Sequence, residues 1–278
     1  MQLKIKKILN NNAVVVMSGQ LEKIAIGSGI AFHKKKNDLI NPNKVEKMFV
    51  MEEHDKFQQL LLQVPEEHFT LSEDIISYAE MKLGCKLNNH IHIALTDHLS
   101  FAIERAKEGI HLRNKLLHEI KVLYKKEFSI GTWALHRVKE KLDVHMPIDE
   151  AAYIALHLHT AKLPEGNMQQ TVRQTTIISD MVRAISEYLQ IEIEDDDIAY
   201  QRLITHLRFV ITRSDHIELH TMDKEMLDMI KKKFPVSFRC SQEVARLLKR
   251  DFAIQLPVQE LGFIALHIER LQKRSNED

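Results

Sequence analysis

Residues 95–105 read LTDHLSFAIER, and 108 positions later residues 203–213 read LITHLRFVITR, with Leu, His, Leu, Phe, Ile and Arg kept at six of eleven places. A second pair, EAAYIALHL at 150–158 and ELGFIALHI at 260–268, recurs at an offset of 110. Self-similarity at a period as long as a small domain means two copies of one folding unit. Packing alone accounts for the apolar residues, which fall at helical spacing. It does not account for the histidines. His98 corresponds to His206 and His157 to His267, so the four rings are the first candidates for a shared chemical task.

Working outward, helical periodicity holds from about residue 55 onward. Phe57, Leu60, Leu61 and Val64 stand at i, i+3, i+4 and i+7 before Pro65. Ser72-Glu73-Asp74 reads as the opening of a helix through Ile75, Ile76, Ala79 and Leu83, closed by Gly84. Amphipathic stretches follow at 95–105, 116–124 and 130–142, and Pro147 with Asp149 and Glu150 fits the first turn of a helix running through Ala161. The second copy repeats this order, with Pro257 at the equivalent start and Pro164-Glu165-Gly166-Asn167 as the linker. Each copy is expected to be an all-α bundle of about five helices.

The first 50 residues differ in kind. Residues 3–6 alternate apolar and basic, 13–17 is a β-branched run, Ser18-Gly19-Gln20 reads as a turn, and 24–30 and 45–51 are further strand candidates, with a turn at Asn37-Asp38. Four short strands make a small antiparallel sheet with little core of its own, which favours dimerisation through one face. The chain is neutral overall, but residues 1–50 carry nine Lys against Glu22, Asp38 and Glu46, so a head of +6 precedes a body of −6. A basic head suits a polyanion, because each neutralised phosphate releases counterions. The expected fold is therefore α+β and multidomain: a dimeric four-stranded head at 1–55, then homologous five-helix bundles at 62–168 and 172–278.

Several classes are disfavoured. No apolar run approaches the 18 residues of a membrane span, and MQLKIKKILNNN lacks the apolar core of a signal peptide. Cys85 and Cys240 form neither a CxxC motif nor a disulfide framework, which fits a reducing cytoplasm. His90 and His92, or His157 and His159, are two apart, which on a helix points them in different directions; His216 and His220 have ligand spacing but no accompanying HExxH or carboxylate pattern. No metal, no cofactor and no nucleotide-binding GxxxxGK[ST] loop is expected, and the chain does not read as an enzyme.

Individual residues sharpen the two tasks. A nucleic acid is one such polyanion, and its exposed bases are read by stacking and by amides that donate and accept together. Asn10-Asn11-Asn12 supplies such amides, though an Asn triplet also makes a turn. Gly27 and Gly29 permit close backbone approach, Phe32 offers a ring for stacking or for the core, and Lys7, Lys34, Lys35 and Lys36 suit phosphates. Neutral imidazole is nucleophilic near pH 7 and can take a phosphoryl group from another phosphohistidine, leaving a dianion able to reorder an interface. Asp97 precedes His98, as an acid that orients the ring or repels added phosphate, whereas Thr205 precedes His206. The two copies therefore differ locally. His159 is a secondary acceptor candidate.

The order ILNNNAVVV and GSGIAFHKKKND, then LTDH…IALH and ITHL…IALH, resembles the bacterial transcriptional antiterminators in which an RNA-binding head precedes two phosphotransferase-system regulation domains. HIHIALTDHLSFAIER and NKLLHEIKVLYKKEF look most like the sucrose-utilisation branch. The resemblance implies a dimeric head that binds a hairpin in nascent messenger RNA and blocks an overlapping terminator. It implies Asn10, Asn12, Gly27, Gly29 and Phe32 as RNA contacts, and His98, His157, His206 and His267 as acceptors of phosphate from the phosphocarrier HPr and a sugar-specific enzyme II. Modification of the first domain would inhibit and of the second activate. The β-glucoside branch commonly has an arginine between the glycines; here it is Ser28, which alters the expected base preference. The competing readings are a DNA-binding activator with the same regulation domains, disfavoured by a head without a helix-turn-helix pattern, and a phosphohistidine-relay interaction protein.

Overall fold

The structure is a computed structural model that describes residues 3–18, 21–49, 54–164, 166–193, 197–213 and 222–275. Part of the turn expected at 18–20 and the His216/His220 pair lie outside the described residues. Strands β1 (Lys4–Asn10), β2 (Ala13–Ser18), β3 (Leu21–Ile26) and β4 (Lys47–Phe49) form one antiparallel sheet in the order β1-β2-β3-β4. Alternation along the strands divides the apolar residues between two faces. Leu3, Ile5, Val14, Val16 and Ala25 pack with Ile30, Ala31 and Ile40 of the β3–β4 connection. Leu9, Ala13, Val15, Ile24 and Ile26 pack on the other side with Leu61 and Phe69. Register shifts between Ile5 and Lys7 and between Ile8 and Asn10 bend β1.

The apolar run expected to continue to Ile30 leaves the strand at Ile26. At Gly27 a Cβ would stand 1.7 Å from the Lys44 carbonyl oxygen, so the chain passes there against its own backbone. Val45 closes a 3₁₀ turn over Pro42–Lys44 instead of opening β4, which therefore begins at Lys47.

Eleven helices follow among the described residues: α1 (His54–Gln63), α2 (Glu66–Leu83), α3 (Ile91–Lys107), α4 (Leu117–Leu123), α5 (Lys125–Leu142), α6 (Ile148–Lys162), α7 (Met168–Leu189), α8 (Ile198–Arg213), α9 (Lys224–Lys233), α10 (Pro235–Phe252) and α11 (Val258–Ser275). The helix expected at 57–64 is α1; the runs of five expected for the two copies correspond in chain order to α2–α6 and α7–α11, but α4 groups with the second set. Helix α2 starts after Pro65, six residues before the expected opening at Ser72. Ser72 is no cap: its buried hydroxyl donates back to the Phe69 carbonyl at 3.0 Å and meets Thr96 Oγ1 on α3. Gly84 does close the helix, at φ 69°, with its N–H on the Glu80 carbonyl.

The chain groups into two compact units, 1–113 with 126–166, and 114–125 with 167–278. In the first, Ile75, Ile76, Leu95, Leu99, Ile103, Ala134, Val138, Ile154 and Leu158 from α2, α3, α5 and α6 form the core. In the second, α4 packs on α7 and α8. There the Tyr124 hydroxyl lies 3.1 Å from Thr175 Oγ1, and Arg208 donates to the Leu123 carbonyl at 3.3 Å. Met222, Leu227, Ile230, Phe238, Leu261 and Ala265 fill a further cluster under α9–α11. Among the described residues no helix is long and apolar enough to cross a membrane.

Candidate functional site

In the head, Asn11 and Asn12 form the two-residue turn between β1 and β2, with Asn10 paired to Ala13. Asn10 Oδ1 accepts from the Asn12 N–H at 2.9 Å, and Asn12 Oδ1 accepts from the Gly29 N–H at 2.6 Å. The Gly27 N–H reaches the Asn12 carbonyl and the Ala31 N–H the Asn11 carbonyl. The asparagine turn and the glycine loop are thus one hydrogen-bonded unit. Gly29 needs its glycine for φ 61°, whereas Gly27 needs it for the Lys44 carbonyl. The Ser28 N–H donates to Glu46 Oε1 at 3.0 Å. At the end of this loop Phe32 is 59% exposed, which removes core packing as its reason for being aromatic. His33 stands beside it, ring centroids 4.2 Å apart, and Lys7, Lys34, Lys35 and Lys36 are exposed.

The head is seated on α2 by polar as well as apolar contacts. Lys47 Nζ on β4 donates to Glu73 Oε2 at 2.9 Å, and His92 Nδ1 on α3 donates to Glu73 Oε1 at 2.5 Å. Burial pushes the Glu73 carboxyl up, but these bonds to His92 and Lys47 outweigh it and hold the group below its usual range. Asn12 Nδ2 donates to Thr70 Oγ1 on α2 at 3.4 Å, so one RNA-contact candidate also touches a helix of the first repeat.

The histidines matched by the repeat meet in pairs. His98 on α3 and His157 on α6 have ring centroids 5.1 Å apart, and His206 on α8 and His267 on α11 have theirs 4.7 Å apart. Each pair has a glutamate at the same repeat position: Glu150 Oε2 lies 3.1 Å from His98 Nε2, and Glu260 Oε2 lies 3.9 Å from His206 Nε2. Glu150 is 2% exposed and also accepts from Arg105 Nη2 at 2.9 Å. Its burial pushes the carboxyl up; His98 and Arg105 more than compensate and hold it down. Burial, then the neighbouring His98 and His90, push His157 down to about 3, so this ring is neutral at pH 7. His267 is lowered by burial and by Arg270 and Arg202.

Asp97 is exposed, and the carboxylate beside the His98 ring is Glu150 from the facing helix. Thr205 bonds its own helix, its Oγ1 donating to the Gln201 carbonyl at 2.7 Å. Glu150 and Glu260 open both copies of the second repeat segment, a signal present in the sequence but read there as a helix-terminus charge. His159 Nδ1 lies 3.4 Å from Glu127 Oε1, which also accepts from Lys162 at 2.7 Å. Among the described residues no group of three metal-ligating side chains occurs.

The CAT RNA binding domain model matches residues 3–58, and the PRD domain model matches 73–161 and again 179–271. The chain is 38% identical to transcription antiterminator LicT of Bacillus subtilis over 98% of its own length and all of that protein's. It is 35% identical to the β-glucoside operon antiterminator of Dickeya chrysanthemi over 99% of both. A crystal structure of the GlcT CAT-PRDI fragment aligns with a TM-score of 0.55 at 37% identity, covering 58% of this chain and 99% of that one.

Proposed function

Because this chain belongs to the bacterial transcription antiterminators that join a CAT RNA-binding domain to PRD domains, we propose that its head, residues 1–55, binds a hairpin in nascent messenger RNA as a dimer and prevents the terminator from forming. The contact surface is the asparagine–glycine unit with the exposed Phe32: Asn10, Asn12, Gly27, Ser28, Gly29 and Phe32, with Lys7 and Lys34 on phosphates. Residues 62–168 and 172–278 are its two regulation domains. The protein acts as a cytoplasmic regulator rather than a catalyst.

The observation that carries the regulatory half is the repeated ring pair, in which His98 faces His157 and His206 faces His267 at nearly the same separation. Phosphate on such a pair adds a charge of about −1.5 to −2 between two packed helices beside a buried glutamate, enough to change how those helices meet. HPr and a sugar-specific enzyme II are the proposed donors. Phosphate on His98 and His157 inhibits; phosphate on His206 and His267 activates. With Asp97 exposed, its role is repulsion of added phosphate rather than orientation of the ring.

The test is incorporation of acid-labile phosphate from phosphorylated HPr and enzyme II. It is expected on His98, His157, His206 and His267, and label that survives replacement of all four by alanine would reject the assignment. For the head, a gel shift with residues 1–55 at moderate salt is expected to favour the cognate hairpin over a scrambled one; equal affinity would leave only nonspecific charge binding. The segments at 90–105 and 114–128 resemble the sucrose-utilisation branch, which makes sucrose one proposed inducing sugar. A β-glucoside, the sugar class in the name of the Dickeya chrysanthemi relative, is the competing assignment, and induction of readthrough by each sugar separates them.

A further inference from the structure

Each ring in the matched histidine pairs has two nitrogens, and only one of them can receive phosphate. In His98 the Nε2 atom is buried and lies 3.1 Å from the equally buried Glu150 Oε2, and among the described residues neither atom has another hydrogen-bond partner. A carboxylate only accepts and would repel a lone pair held that close, so the ring nitrogen facing it carries the proton and the lone pair resides on Nδ1. Glu150 is itself held from the far side by Arg105, on the same helix as His98, so it has little freedom to turn away. In the second repeat His206 Nε2 is also buried, but Glu260 Oε2 stands 3.9 Å away, beyond hydrogen-bond reach, so this carboxylate contact is particular to the first repeat. We propose that Glu150 fixes the tautomer of the ring it faces, so that His98 accepts phosphate on Nδ1. This assignment rests on the phosphorylation proposed above and specifies its atom.

The transfer balances when the donor's phosphohistidine is protonated on its other ring nitrogen. The Nδ1 lone pair attacks the phosphorus of that cationic ring. The new N–P bond forms as the donor's N–P bond breaks, and the bonding pair leaves on the donor ring, which keeps its N–H and departs as neutral imidazole. The acceptor ring, now carrying phosphate on Nδ1 and hydrogen on Nε2, is cationic, and the glutamate beside it stabilises that charge as the buried acid of a hydrolase triad stabilises an imidazolium. Glu150 is the positioning residue in this scheme.

The test is regiochemistry. The full chain is phosphorylated with HPr carrying phosphohistidine, and the isomer is read with antibodies specific for each phosphohistidine isomer and by long-range ¹H–¹⁵N correlation. The unsubstituted chain and one retaining only His98 among the four acceptors are compared. The Nδ1 isomer is expected at His98. Glu150→Ala is expected to slow labelling of His98 roughly 10- to 100-fold, the range for losing a carboxylate that orients a histidine, and to yield both isomers. Glu150→Gln, which keeps an accepting oxygen, is expected to retain the Nδ1 isomer. The Nε2 isomer in the chain retaining only His98 would overturn the proposal, as would an unchanged rate and isomer when Glu150→Ala is made in that chain. Absence of phosphate from all four rings would overturn the phosphorylation reading itself, a different and separable failure.

Discussion

Replacing Lys47 by methionine should unseat the head from α2 without unfolding either part. The stem keeps its length, and what is lost is the bond to Glu73 at 2.9 Å between side chains 23% and 11% exposed. A hydrogen bond to a charged group contributes about 1.5–3 kcal/mol, and the carboxylate left behind keeps only His92. Taking about 2 kcal/mol, the fraction of molecules with the head lifted from α2 rises roughly 30-fold. Native-state hydrogen exchange reads this directly: amides of β4 and α2 lose protection by that factor while the core around Leu99 and Ile154 keeps its own. Because Asn12 bonds Thr70 on the same helix, lifting the head also frees an RNA-contact residue, and the full chain's affinity for its hairpin should rise while that of the isolated head does not. Lys6→Met, which breaks the exposed pair with Glu22, is the control and should change nothing beyond about 0.5 kcal/mol. Unchanged protection in Lys47→Met, or an equal loss across the whole core, would refute the reasoning.

Three further outcomes follow from single positions. Phe32→Ala should leave the melting temperature nearly unchanged, since the ring is 59% exposed, yet cost about 1–3 kcal/mol of hairpin affinity in a gel shift at fixed salt; retained affinity would exclude stacking. Gly27→Ala should destabilise the head by about 3 kcal/mol because the added carbon meets the Lys44 carbonyl at 1.7 Å, and an unshifted melt would contradict the packing. Glu127 is held down to about 2: burial pushes it up, but His159 and Lys162 more than compensate. A carboxyl depressed on folding stabilises above its unfolded value of about 4.5 and loses that contribution as pH falls toward 2, amounting to about 3 kcal/mol. Glu127→Gln should therefore flatten the stability profile between pH 4.5 and 2, and an unaltered profile would assign the acid sensitivity elsewhere.

Much of the architecture was legible because repetition and alternation are written directly in residue order. The matched segments around His98 and His206 announced two copies, and the +6 head set against a −6 body marked a different kind of unit before any fold was known. What stayed hidden depends on which distant side chains meet. Ser72 looked like a helix cap because serine favours that place, but burial against Thr96 turned its hydroxyl inward. Glu150 looked like a dipole-matching acid at a helix start, and only the arrival of α3 reveals it as the partner of His98 and Arg105. Gly27 was read as a gap for a ligand and is filled by the chain's own Lys44. Helix α4, expected within the first bundle, packs on α7 and α8, a choice that local periodicity does not encode.

The central claim is that phosphate on the paired histidines reports to the RNA-binding head. The direct measurement is hairpin affinity of the full chain carrying His206→Ala and His267→Ala, before and after phosphorylation by enzyme II, with label on His98 and His157 quantified in the same sample. Affinity is predicted to fall as label appears, and to stay constant when His98 and His157 are also replaced. Full labelling of those two rings with no change in hairpin affinity would contradict the account.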